Sequence, residues 1–219
     1  MSAPPLRDHI LARATLAGVG LHPDELDKLA EYYSLLERWN QKINLTALPL
    51  AARENSTVDR LIVEPLIAAS EFPGDPVTWV DFGSGGGSPA IPIKIVRPIA
   101  GLTMVESRER KSAFLREAVS TLALSNTRVH TGRIEEQGQS TPREHQTLRP
   151  DTADIITVRA VRLDADMLTA AREILKLHGR LLLFCTEKPA SPVPGFRVAA
   201  ERSLFPSTGF LLALEKASE

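Results

Sequence analysis

Residues 80–92 read Val-Asp-Phe-Gly-Ser-Gly-Gly-Gly-Ser-Pro-Ala-Ile-Pro, "VDFGSGGGSPAIP". An apolar, strand-like run ends at Phe82, a glycine-rich turn follows, and Pro89 and Pro92 come directly after it. In an open α/β sheet the ligand sits beyond the carboxyl ends of the strands, at the switch point beside the first strand. Glycine there permits positive φ and lets main-chain N–H groups approach a ligand closely. Gly83, Gly85 and Gly87 form G-x-G-x-G, whereas a dinucleotide fingerprint prefers glycine at 88, where this chain has Ser88. Asp81, two residues before Gly83, is the more telling residue. A carboxylate at a strand end can meet the cationic amino-acid part of S-adenosylmethionine and repels a pyrophosphate. A plain glycine-rich loop remains the competing reading at this point. Pro89 fits the first turn of a helix, where its missing N–H costs little, and Pro92 fits if that turn is still the helix start.

Outward from this turn the chain alternates short β-branched runs with amphipathic segments. "VTWVDF" (77–82), "LTMVE" (102–106), "TRVHT" (127–131), "ADIITVR" (153–159) and "RLLLFCT" (180–186) read as buried strands. Helices are expected over 89–97, 108–123 and 164–178, the last with Met167, Leu168, Ala171, Ile174 and Leu175 on one face. This alternation predicts a mostly parallel, Rossmann-like α/β sheet with right-handed crossovers. Two final runs without a long helix between them predict an antiparallel C-terminal hairpin. The polar stretch 137–151 is expected to be a surface loop. Upstream the texture is helical. Leu26, Leu29, Ala30, Tyr33, Leu36 and Trp39 recur at helical spacing after a cap expected at Asp24. A second helical stretch runs over 51–69 and should be kinked or divided by Pro65. The first eight or so residues, with Pro4 and Pro5, look frayed. The dense turn "EFPGDP" (71–76) divides a helical region, 1–74, from a cofactor-binding domain, 75–219.

Glu106 ends the second strand 23 residues after Gly83, near the separation at which a carboxylate reaches ribose hydroxyls in a βαβ unit. Its rival reading is a helix cap or an exposed strand end. Ile134 and Glu135, past the third strand, are placed to flank an adenine, and Arg159 ends the fourth strand in the same crevice. An ion pair with Glu135 is the competing reading for Arg159.

The 219 residues carry 26 Lys and Arg against 27 Asp and Glu, a formal net charge of −1. That balance argues against gripping nucleic acid through bulk charge but leaves room for a local basic face. Arg108, Arg110, Lys111 and Arg116 make one such cluster. Cys185 is the single cysteine, so neither an internal disulfide nor a thiolate metal cluster can form. His9, His22, His130, His145 and His178 show no metal-ligand spacing, and no metal is expected. No apolar run reaches the roughly 18 residues of a membrane span, and the N-terminus lacks the apolar stretch of a signal peptide. A cytoplasmic protein without a membrane partner is the expectation.

The segment "ERWNQKINLTAL" (37–48) resembles the W-N-x-x-x-N-L-T helix end of the GidB/RsmG-type methyltransferases, which methylate N7 of a guanine in 16S ribosomal RNA. "VDFGSGGGSPAIPIKIVRP", "VESRERKSAFLREA", "GRIEE" and "VRAV" resemble that family's successive cofactor segments. The resemblance covers most of the chain. It implies a class I methyltransferase sheet behind a small helical region, acting on 16S rRNA or the small ribosomal subunit as a monomer. It assigns S-adenosylmethionine to Gly83, Ser88, Ile134-Glu135 and Arg159, beside Gly85 and Glu106 from the reading above, and turns Arg60 and Lys188 toward RNA. Guanine N7 carries a lone pair and no proton, so no catalytic base is expected. Ala90 stands where the family has glycine, Gly86 where proline or alanine is common, and its R-H-x-x-D-S pattern reads Arg60-Leu61-Ile62-Val63-Glu64-Pro65. A nicotinamide-dependent oxidoreductase and a cofactor-binding protein without methyl transfer are the alternative functions.

Overall fold

The apolar runs form the strands β1 (Thr78–Phe82), β2 (Gly101–Glu106), β3 (Thr127–Thr131), β4 (Ala153–Arg159) and β5 (Leu175–Cys185), followed by β6 (Phe196–Ser203) and β7 (Phe210–Lys216). The computed structural model describes residues 5–74, 77–134, 148–161, 163–187 and 192–217. The strands make one sheet in the order β3-β2-β1-β4-β5-β7-β6. β1 to β5 pair in parallel, and the β6–β7 hairpin joins antiparallel to β5. Strand order reverses between β1 and β4, which opens a crevice at their carboxyl ends.

Alternation along the strands sorts side chains onto two faces. One face carries Trp79 and Asp81 from β1, Met104 and Glu106 from β2, Ile155, Thr157 and Arg159 from β4, and Leu182 and Phe184 from β5. Its apolar members share one core with the helices α1 (Leu6–Leu16), α2 (Pro23–Asn40), α5 (Ala90–Val96) and α6 (Glu109–Thr121). The other face, with Val80, Phe82, Ile156 and Val158, packs on Met167, Ala171 and Ile174 of α7 (Ala165–Ile174). Asp81, Glu106 and Arg159, all on the first face, therefore converge at the crevice, with Asp81 level with Thr157 and one step deeper.

Several expectations are corrected. The chain is helical from Leu6, because Leu6, Ile10 and Ala14 bury at four-residue spacing against α2 and Arg13 clasps Asp59 through two hydrogen bonds of 2.8 and 2.5 Å. α2 begins at Pro23, one residue before the expected cap; the His22 N–H donates to the Glu25 carboxylate at 2.8 Å instead. β3 is the sheet's edge strand and is only partly covered. α7 stops at Ile174 rather than 178, since Leu175 turns extended and pairs with Ala153, and the strand ladder takes over from there. The predicted loop 137–151 lies mostly outside the described residues.

The 51–69 stretch is neither simply kinked nor cut. It is helical through α3 (Asn55–Val58), a wider π-helical turn (Asp59–Val63) and α4 (Glu64–Ala68). The Glu64 N–H reaches back five residues to the Asp59 carbonyl. Pro65 has no N–H to give, so neither the Arg60 nor the Leu61 carbonyl receives a helical bond from it. Both carbonyls turn outward and are used at the site.

Candidate functional site

The turn after β1 is held by its own backbone. Gly83, Gly85 and Gly87 have φ of +68°, +51° and +85°, a region in which a side chain is strained. The N–H groups of Gly83 and Ser84 donate to the Val105 carbonyl, and Gly85 N–H donates to Glu106 Oε2 at 2.9 Å. The other Glu106 oxygen accepts from Arg108 N–H at 2.8 Å, at the start of α6. Tyr32, fully buried on α2, donates its hydroxyl to the Gly86 carbonyl at 2.7 Å. A Cβ at Gly86 would lie 3.2 Å from Leu36 and 3.5 Å from the Leu45 carbonyl. A side chain at 86 would make the Leu36 tip yield by a few tenths of an ångström. Ala90, fully buried, opens α5 directly behind it.

Beneath the turn lies Asp81, 1% exposed. Trp79 Nε1 donates to Thr157 Oγ1 at 2.9 Å, and that hydroxyl donates to Asp81 Oδ1 at 2.5 Å. Asp81 Oδ2 is buried without a hydrogen-bond partner among the described residues. Burial pushes the Asp81 carboxyl up to about 6, against the opposing pull of Ser84, Thr157 and the Arg159 charge.

Arg159 completes the group. It pairs with Glu64 at 2.7 Å, donates to the Arg60 carbonyl freed by Pro65, and reaches Ser88 Oγ at 3.2 Å. Ser88 Oγ in turn donates to the Leu61 carbonyl at 2.9 Å. The guanidinium stacks 4.1 Å from the ring of Phe184, its register partner on β5. Burial lowers the Arg159 pKa to about 10, with Glu64 opposing, so the group stays charged at neutral pH. Among the described residues the ion-pair partner is Glu64; Glu135, the partner considered from sequence, lies outside them.

Two cavities meet at Gly83. The larger, about 500 Å³, runs between the turn, Arg60, Ser88, Arg159, Lys111 and the loop 45–48. The smaller, about 250 Å³, is lined by Gly83, Val105, Ser107, Gly132, Arg133 and Ile134. Asn40 explains the "WNQKINLT" segment: its side chain accepts from the N–H groups of Leu45 and Thr46 and donates to the Thr46 carbonyl. That stitches the loop into the cleft wall, while Trp39 packs edge-on against Phe114 of α6. Of the residues singled out from sequence, Gly83, Gly85, Ser88, Arg60 and Arg159 gather on the larger cleft, with Glu106 at the turn and Ile134 on the smaller one. Glu135 and Lys188 lie outside the described residues. Sequence reasoning missed Tyr32, Glu64, Lys111 and Thr157 as site residues. Lys111 carried a signal as part of the basic cluster after β2, and Glu64 as the acidic position of the 60–65 segment.

The family described as GidB, rRNA small subunit methyltransferase G, matches residues 25–197. The chain belongs to the GidB family. Ribosomal RNA small subunit methyltransferase G of Roseiflexus sp. (strain RS-1) is 32% identical over 195 residues, 89% of this chain and 80% of the relative. The protein of the same name from Neisseria meningitidis serogroup C is 35% identical over 171 residues, 76% and 74% of the two chains. Among solved structures, a SAM-dependent methyltransferase from Aquifex aeolicus superposes with a TM-score of 0.57 at 16% identity, over 84% of this chain and 98% of that one. That likeness concerns the fold, a class I methyltransferase sheet. The GidB match takes in the glycine turn, Glu106, the 60–65 segment and Arg159, and leaves out α1 and β7. Within this GidB chain the Glu64 and Pro65 departures are compatible with an ordered site. Glutamate carries the charge that meets Arg159, and proline frees the carbonyl that Arg159 binds. No described helix is long and apolar enough to cross a membrane, and no three described His, Cys, Asp or Glu side chains group as metal ligands.

Proposed function

We propose that this chain methylates N7 of a guanine in 16S ribosomal RNA with S-adenosylmethionine as donor, working in the cytoplasm as a monomer without a metal. Family membership and relatives named for the small-subunit rRNA support the reading. The observation that carries it in this chain is Asp81 Oδ2, a buried carboxylate oxygen with no hydrogen-bond partner among the described residues, set under a glycine turn.

The residues fit that cofactor. Asp81 offers its free oxygen to an ammonium group, which would repay the cost of burying the charge. Gly83 and Gly85 keep the turn free of side chains, and Ser88 and Arg159 supply polar groups at its far end. Glu106 has spent one lone pair of each oxygen on main-chain N–H groups and retains others for ribose hydroxyls. Ile134, on the smaller cavity, is suited to an adenine face. Glu135 and Lys188 keep their sequence-based assignments to cofactor and RNA, and Arg60 is assigned to RNA in the larger cleft. When bound, S-adenosylmethionine supplies an electrophilic methyl group on a sulfonium. The protein's task is then to orient a guanine edge, since N7 attacks with its own lone pair and no side chain has to remove a proton. The base must be unstacked to enter a cleft of this kind.

The test is transfer of labelled methyl from the cofactor to 30S subunits or naked 16S RNA, with mapping of the modified base. Label at a guanine N7 is the expected result. No incorporation into either substrate by protein that binds S-adenosylhomocysteine would sink the proposal. Calorimetry with S-adenosylhomocysteine and NAD gives a second check, with binding expected for the first compound only.

A further inference from the structure

Arg60, on the π-helical turn, and Lys111, in the first turn of α6, both line the larger cleft and both are half-buried. Neither side chain has a hydrogen-bond or ion-pair partner among the described residues. Two nearby carboxylates are already engaged, and Asp81 lies beneath the turn, outside the lining of this cleft. Glu64 neutralises Arg159, and each Glu106 oxygen is bound by a main-chain N–H. Arg60 is close enough for its charge to act on Arg159. Two cationic side chains therefore stand in one concave site without a direct pair among the described residues, available to an anion that enters the cleft.

The remaining wall gives the anion its context. Leu36, Leu45 and Leu48 line the same cleft, with the 45–48 loop fixed by Asn40. An apolar wall facing cations suits a nucleotide, with a base against the leucines and a phosphate on the charges. Lysine and arginine are the usual phosphate partners, lysine as a point charge and arginine through its fork.

We propose that Lys111 and Arg60 bind the phosphate of the nucleotide whose base enters this cleft. The proposal deepens the rRNA reading and rests on it for the identity of the RNA. Lys111 then discriminates a nucleotide from a bare nucleoside and takes no part in holding the cofactor.

The experiment titrates the protein, saturated with S-adenosylhomocysteine, with guanosine and with guanosine 5′-monophosphate, followed by NMR shifts. Wild-type protein is expected to prefer the monophosphate on the order of tenfold, the usual gain from a charge-assisted contact. Lys111→Gln and Arg60→Gln should each bring the two affinities closer, Lys111→Arg should keep most of the preference, and S-adenosylhomocysteine affinity should stay within about twofold in all three. In RNA binding, each Gln variant should reduce the salt slope by roughly 0.7, the single-strand value per phosphate contact. Equal affinity of the wild type for both compounds would overturn the proposal, as would a preference that survives in both Gln variants. A Lys111→Gln loss confined to S-adenosylhomocysteine would also overturn it, by assigning the lysine to the cofactor carboxylate. Methyl transfer to 30S subunits is measured alongside. Its absence in the wild type defeats the rRNA reading, while the nucleotide titration still decides the phosphate site.

Discussion

Asp81 and Thr157 stand opposite each other in the β1–β4 ladder, and the Thr157 hydroxyl donates to Asp81 Oδ1 at 2.5 Å. Trp79 Nε1 donates to the same threonine oxygen, so the hydroxyl proton has one direction left to point. One carboxylate oxygen is fixed, and the other is buried with no partner among the described residues. A protein built for stability alone would not keep such a group.

The first prediction concerns stability. Burial pushes the Asp81 carboxyl up to about 6, so the folded ligand-free protein holds this proton more tightly than the unfolded chain does. Its contribution therefore falls as pH rises from about 4 through about 6, and is flat above that. Two pKa units correspond to about 3 kcal/mol as an upper bound. Asp81→Asn should remove this slope and stabilise the ligand-free protein at pH 7 by about 1–3 kcal/mol. Urea unfolding of both proteins between pH 4 and 7 measures the difference.

The same substitution should have the opposite effect on binding. An ammonium group favours ionised Asp81, so wild-type affinity for S-adenosylhomocysteine should rise with pH up to about 6 and then level off. Asp81→Asn should lower affinity about 10- to 100-fold at pH 7.5, the worth of a charged hydrogen bond, and flatten the profile. Calorimetry across pH 5–8 reads both, and an unchanged profile in the variant would remove Asp81 from the binding site.

Glu64→Ala leaves the Arg159 guanidinium, whose side chain is 7% exposed, without its counter-charge. Breaking a buried pair from one side costs about 3–5 kcal/mol. The double variant Glu64→Leu with Arg159→Met should recover most of that stability and still bind cofactor poorly. Denaturation midpoints of the three proteins separate the structural cost of the pair from its part in binding.

Gly83 and Gly85 should respond differently to a side chain. A Cβ at Gly83 would sit 2.5 Å from Val161 Cγ2, so Gly83→Ala meets both a clash and the strain of φ +68°. Val161→Ala should relieve the clash and leave the strain of about 1–2 kcal/mol. At Gly85 the nearest atom is the Gly83 carbonyl oxygen at 3.7 Å, and the residue lines the larger cleft. Gly85→Val should keep the fold, with a similar backbone cost, and abolish cofactor binding. Unfolding curves and S-adenosylhomocysteine titrations of each variant make the comparison.

Much of the architecture was legible before any coordinates, because it rests on local pattern. Alternation of β-branched runs with amphipathic segments announces a parallel sheet, and the separation of Gly83 from Glu106 reflects one βαβ unit. α1 escaped notice since only Leu6, Ile10 and Ala14 of its eleven residues are buried and two prolines precede it. The end of α7 was misjudged because Leu175 continues the helical apolar pattern while its backbone joins the sheet, and tertiary pairing overrides local periodicity.

What the sequence determined by itself is the family, the class I sheet, and the candidate site at the turn after β1, since each follows from residues near one another in the chain. Which carboxylate answers Arg159, what orients Asp81, and what holds the Gly86 carbonyl were decided only by the tertiary structure. Glu64 lies 95 residues from Arg159, Thr157 lies 76 from Asp81, and Tyr32 lies 54 from Gly86. Strand register and helix packing create these meetings, and no spacing rule along the chain encodes them.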